Sequence, residues 1–170
     1  MHKEEIIQKA EAFCKEHRVN RFPVNVITLC EQCGITVFGH MLPPAVSGFI
    51  VIQEEPFQDF GTGHLIVMNS CDSAGRQRFT IAHELAHYVL HREGNEPIYA
   101  HRDAGQNDGI EREANIFASN LLMPTALMEK FLRGLDGYPQ SVLADQVASA
   151  FAVSHEAALV RLDQLGLIGG

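Results

Sequence analysis

The segment RFTIAHELAHYVLH, Arg78 to His91, carries His83, His87 and His91 at intervals of four, with Glu84 directly after the first. Residues four apart on a helix share one face, with a rise of about 6 Å between them. Two imidazoles so spaced can converge on one Zn²⁺ at Zn–N distances of about 2.0–2.1 Å. Glu84 stands at the edge of that face, where a carboxylate can take a proton from water and pass it to a leaving amine. HExxH is therefore a pattern with a mechanism attached, the hydrolysis of an amide bond at a metal centre. The flanking FTIA and YVL are apolar, and imidazoles in such surroundings are costly without a partner. The alternative is a pair of hydrogen-bonded core histidines. His91 lies about 12 Å along the axis from His83, too far to bind the same ion. It is expected to cap the helix C-terminus or to support the site from behind as a hydrogen-bond donor.

Two histidines leave a catalytic zinc short of a third protein ligand, the fourth position being kept open. The candidate lies in IEREANIFASNLLMP, where Ile110, Ala114, Phe117, Ala118 and Leu121 form an apolar stripe at helical spacing. Glu111 borders that stripe and shares a face with Asn115, whereas Glu113 is rotated away and is expected in solvent. Glu111 would complete a His₂Glu set with one open position. The alternative is that both glutamates form an exposed charge pair near the positive end of a helix. Peptide hydrolysis also needs an oxyanion stabiliser, for which Tyr88, His91, Tyr99, His101 and Tyr138 all qualify by type.

The elements that must position these residues are legible from periodicity. Ile6, Ile7, Ala10 and Phe13 follow helical spacing over Lys3 to His17. A second helix is expected from Val24 to Cys33, after Pro23, with Gly34 as its cap. ITVFG, SGFIVI and GHLIVMN read as three strands of a small sheet. Asp72 or Ser73 can cap the long helix through His91, expected to end at Gly94. The polar, Gly-rich stretch from Arg92 to Gly109 is long for a compact domain and reads as a mobile or functional loop. A helix over IEREANIFASNLLM stops at Pro124, and Thr125 can cap the short helix TALMEKFLR. After a break between Gly134 and Pro139, SVLADQVASAFAVSHEAALVRLDQLGLI reads as two short helices with a turn near Val153 and Ser154. Their rhythm is that of a helix-turn-helix, but His155, Glu156, Arg161 and Asp163 are a poor set for facing phosphates. Packing or substrate docking is the better reading.

Composition narrows the function. The chain has 170 residues, 46% apolar and 20% charged, enough for one core. A formal charge of −8 without a basic run argues against direct nucleic-acid binding. No apolar run reaches membrane-spanning length, and MHKEEIIQKAEAF lacks the features of a signal peptide, so a cytoplasmic protein is expected. Cys30 and Cys33 form a lone CEQC with no second pair, and they close a helical run rather than opening one. They read as helix-face cysteines. Arg76 and Arg78, just ahead of the metal helix, read as solvated or carboxylate-paired.

RQRFTIAHELAHYVLH followed by EREANIFASNLLMP resembles the ImmA/IrrE family of HExxH metallopeptidases. CGITVFGHMLPPAVSGFIVI resembles that family's sheet segment, and FAVSHEAALVRLDQLGLI its C-terminal helices, so the resemblance spans most of the chain. It implies an α+β fold, a small three-stranded sheet packed against a zincin-like helical core, with short C-terminal helices. It makes residues 1–135 the metallopeptidase domain and 136–170 a helical segment packed on it or serving substrate docking. His83, His87 and Glu111 become the zinc ligands and Glu84 the general base. The implied substrate is a helix-turn-helix repressor on a separate chain, cleaved to release stress or mobile-element genes. Ala86 departs from the glycine frequent at that position, a small packing change. The rival reading is a metal-stabilised regulator that antagonises a transcription factor without proteolysis.

Overall fold

The computed structural model describes residues 1–92, 98–99, 108–135 and 137–168. Its element order is α1 (Lys3–Glu16), α2 (Val26–Gln32), β1 (Thr36–His40), β2 (Gly48–Ile52), β3 (His64–Asn69), α3 (Ala74–His91), β4 (Ile98–Tyr99), α4 (Asp108–Leu122), α5 (Thr125–Arg133), α6 (Gln140–Phe151) and α7 (His155–Gln164). The class is α+β, and the three expected strands form the sheet. The two-residue β4 joins at one edge, giving the order β1-β3-β2-β4. Most of the expected Arg92–Gly109 loop, and Gly94 as a helix end, fall outside the described residues.

β1 runs parallel to β3, with Thr36 opposite Leu65, and β2 runs antiparallel to β3, with Ile50 opposite Ile66. Alternation fixes which side is buried: Gly48, Ile50 and Ile52 point inward along β2. Gly48 is where the sheet meets α3 most closely. A Cβ there would lie 2.5 Å from Thr80 Cγ2 and 2.7 Å from the Val67 carbonyl oxygen, so backbone and helix can approach only because no side chain intervenes. At the far end of α2, Gly34 takes φ of 73°, the left-handed turn expected of a helix cap.

α3 is the central element. Ser73, not Asp72, is its N-cap, its side chain accepting from the Arg76 N–H at 3.4 Å. Every residue from Thr80 to His87 is buried, because the sheet covers one side and α4 the other. The main core joins Ile6, Phe13, Ile50, Ile66, Leu85, Phe117 and Leu121 across these layers. A second buried cluster unites Met123, Leu127, Met128, Ala144, Phe151 and Leu162 under α5, α6 and α7.

Two buried polar residues tie the layers together. Asn69 is 2% exposed; its oxygen accepts from the Leu42 and Cys71 N–H groups, and its amide donates to the Leu42 and Val46 carbonyls. It holds the β1–β2 connection against the end of β3. Asn69→Leu should cost on the order of 3 kcal/mol, since it strands several buried backbone groups. A urea midpoint unchanged from wild type would refute this. Arg161, buried in α7, donates to the Met123 carbonyl and to Thr125 Oγ1.

That second bond corrects the expectation for Thr125. Pro124 occupies the cap position of α5, and the Thr125 hydroxyl serves long-range contacts, donating to Glu11 at 2.9 Å. Arg78 is likewise not simply solvated: it is half-buried, and no carboxylate among the described residues pairs with it. Its guanidinium donates to the Phe151 and Ala152 carbonyls at the end of α6, satisfying acceptors that the helix leaves open. Arg76 does pair with Asp72 at 3.3 Å and also donates to Ser47. Cys30 is fully buried, and burial pushes its thiol up to about 12, an inert core position.

Candidate metal centre

His83 and His87 project from the same buried face of α3, as their spacing requires, with side chains 4% and 6% exposed. Their Nε2 atoms lie 3.1 Å apart. Glu111, in the first turn of α4, reaches both: one carboxylate oxygen is 3.1 Å from His83 Nε2 and the other 3.4 Å from His87 Nε2. The three residues offer ligand atoms that all lie within 4.8 Å of one another. In a tetrahedral site with ligand distances near 2.05 Å, neighbouring donors stand about 3.3 Å apart. The observed spacing fits that edge. The chemistry fits too, because two imidazoles and one carboxylate are the donor types that a catalytic zinc takes.

The carboxylate of Glu111 is 36% exposed, so the donor set is shut on the helix side and open on one other. That asymmetry is what a catalytic rather than a structural site needs. Glu84 follows His83 and is 2% exposed. Next to the donors a cleft of about 920 Å³ opens between α3, α4 and α7, its wall including Phe79, His83, Arg112, Asn115, Ile116 and Val160.

Behind the donors, hydrogen bonds hold each ring. Asn115 Oδ1 lies 2.9 Å from His83 Nδ1, and since a carbonyl oxygen only accepts, Nδ1 donates and the neutral ring keeps its lone pair on Nε2. His87 Nδ1 lies 3.1 Å from His91 Nδ1, and His91 Nε2 lies 3.1 Å from Glu113 Oε2. His91 thus stands behind His87 and outside the donor cluster, as helix geometry required. Glu113 does not sit in solvent. It is 17% exposed and takes up His91 and the Met1 amino group. The Met1 amino group foremost, with His91 adding to it against the cost of burial, holds its carboxyl below the usual range. The missed signal was the length of the glutamate side chain, which reaches α3 from either flank of α4.

Of the oxyanion candidates, Tyr88 has its hydroxyl accepting from Arg92 at 2.8 Å and its ring against His64. Tyr138 is 55% exposed in the segment between α5 and α6. His101 and the Tyr99 side chain lie outside the described residues.

The peptidase family described as the IrrE N-terminal-like domain matches residues 30–163. The chain belongs to that family. Among relatives, it is 27% identical to the metallopeptidase ImmA of Bacillus subtilis (strain 168) over 161 residues, which is 95% of this chain and 86% of that protein. It is 36% identical over 66 residues to uncharacterized immunity region protein 2 of Bacillus phage phi105, covering 39% of this chain and 42% of that one. The fold is similar to that of a Mycobacterium tuberculosis transcriptional regulator, with a TM-score of 0.62 at 17% identity over 94% of this chain. The chain spans 46% of that regulator's length. For this IrrE-like domain, no helix among the described residues is long and apolar enough to cross a membrane.

Proposed function

We propose that the chain is a zinc-dependent endopeptidase that cleaves a helix-turn-helix transcriptional repressor. The observation that carries this reading is the donor set of His83, His87 and Glu111, convergent, closed behind and open in front. Membership in a peptidase family and likeness to a relative named as a metallopeptidase support it. The repressor as substrate is supported by the relative named for a phage immunity region. The cleft of about 920 Å³ is at the upper end of pocket sizes, roughly 300–1,000 Å³, and suits a stretch of polypeptide. The C-terminal helices then serve as one wall of that cleft, through Ala157 and Val160 of α7.

His83, His87 and Glu111 would hold zinc, which would supply Lewis-acid polarisation of a peptide carbonyl and acidify a water beside it. Glu84 is the general base: its carboxylate takes the proton of that water and returns it to the departing amine. Asn115 fixes the His83 ring in the tautomer that leaves Nε2 available. Burial of both rings keeps bulk water off the rear of the site.

The test is incubation with a candidate helix-turn-helix repressor, with zinc or with a chelator, followed by mass spectrometry of the fragments. A single cut that vanishes with the chelator is expected. A repressor that stays intact yet leaves its DNA would overturn proteolysis in favour of antagonism by binding.

A further inference from the structure

His91 and Glu113 lie outside the donor set, yet they are joined to it by an unbroken line of contacts. Glu113 Oε2 is 3.1 Å from His91 Nε2, His91 Nδ1 is 3.1 Å from His87 Nδ1, and His87 Nε2 is 3.1 Å from His83 Nε2. A carboxylate only accepts, so the His91 ring presents N–H at Nε2, and in the neutral ring Nδ1 then carries the lone pair. Two facing nitrogens need one proton between them, and His87 must then donate from Nδ1. Its lone pair is thereby left on Nε2, the atom that faces Glu111 and His83. The reverse arrangement would put the proton on His87 Nε2 and remove a donor from the cluster.

We propose that Glu113 and His91 are positioning residues that fix the tautomer and ring orientation of His87 for metal binding. Carboxylates and carbonyls commonly do this for metal-bound histidines directly. Here the support passes through a second imidazole. The packing explains why: His91 is one turn beyond His87 on α3, and Glu113 comes from α4, so the relay spans the α3–α4 contact and is set only when the two helices are seated. All three members are largely enclosed, with His91 14% and Glu113 17% exposed, so water competes weakly for these bonds. His83 receives its support from Asn115 on the same helix as Glu113. One helix thus supplies one ligand and orients both others.

This inference rests on the reading of His83, His87 and Glu111 as metal ligands, and its test reads metal binding rather than cleavage. Zinc affinity is measured by competition with a chromophoric chelator, and the Co²⁺-loaded protein is examined by its visible absorption bands. His91→Phe keeps the ring's bulk without its nitrogens and should weaken zinc binding by roughly 10–100-fold and shift the Co²⁺ bands. His91→Asn restores an acceptor at the place of Nδ1 and should recover most of that loss. Wild-type affinity and spectrum in His91→Phe would overturn the proposal, as would equal damage from Phe and Asn. Should His91→Phe fail to fold, Glu113→Met, which leaves His91 Nε2 without its acceptor, decides: weaker zinc binding in a protein that still melts cooperatively is expected, and unchanged affinity overturns it. A protein that binds zinc through this relay and cleaves nothing would sink the peptidase reading and leave this one standing.

Discussion

Glu84→Gln should lower the cleavage rate by about 10²–10⁴-fold, the range that a general acid–base residue contributes, while zinc content and melting temperature stay near wild type. The substitution keeps the shape of a side chain that is 2% exposed in the middle of α3 and takes away its ability to accept a proton. Because Glu84 is not in the donor cluster, the substitution leaves every ligand atom in place. Cleavage followed by gel, with zinc measured on the same sample, separates the two effects. Normal cleavage by a zinc-loaded Glu84→Gln protein would mean that some other group moves the proton.

The second large effect concerns stability linked to the metal. A ligand that binds only the folded state stabilises it by about 4 kcal/mol at a concentration 1,000 times its dissociation constant. For a domain of this size that is a rise in melting temperature of roughly 8–16 °C. The donors come from α3 and α4, whose packing forms the main core, so the ion would pin the two central helices to each other. Glu111→Ala removes the only donor contributed by α4 and should abolish most of the zinc-dependent rise. Its melting temperature without zinc should stay close to that of the metal-free wild type, since Glu111 is partly exposed and its partners are the two imidazoles. An undiminished rise in the Glu111→Ala protein would show that the ion is held elsewhere.

Much of the site was legible in the residues. The four-residue spacing of His83 and His87 dictates a common face whatever the tertiary structure, and the same rise per residue excludes His91 from the cluster. Glu111 could be chosen because the apolar stripe of α4 says which side faces the core. The three strands were legible from alternation, but their order was not. That β1 lies beside β3 in parallel, rather than beside β2, depends on long-range pairing that no local pattern encodes. Glu113 was misplaced for a related reason. Its angular position on α4 points it away from Glu111, and only the way α4 lies across α3 brings His91 within its reach. Thr125 and Arg78 carry the same lesson, since each has a good local use and the fold spends it on a distant segment instead.

The proposed chemistry depends on one ion held by His83, His87 and Glu111. This is tested most directly by anomalous diffraction at the zinc edge on crystals of the zinc-loaded protein. A single strong peak is expected about 2.0–2.2 Å from His83 Nε2, His87 Nε2 and a Glu111 oxygen, with His91 behind His87 and outside the coordination sphere. A peak that takes His91 or Glu113 as a ligand in place of Glu111, or no peak among these residues, would contradict it.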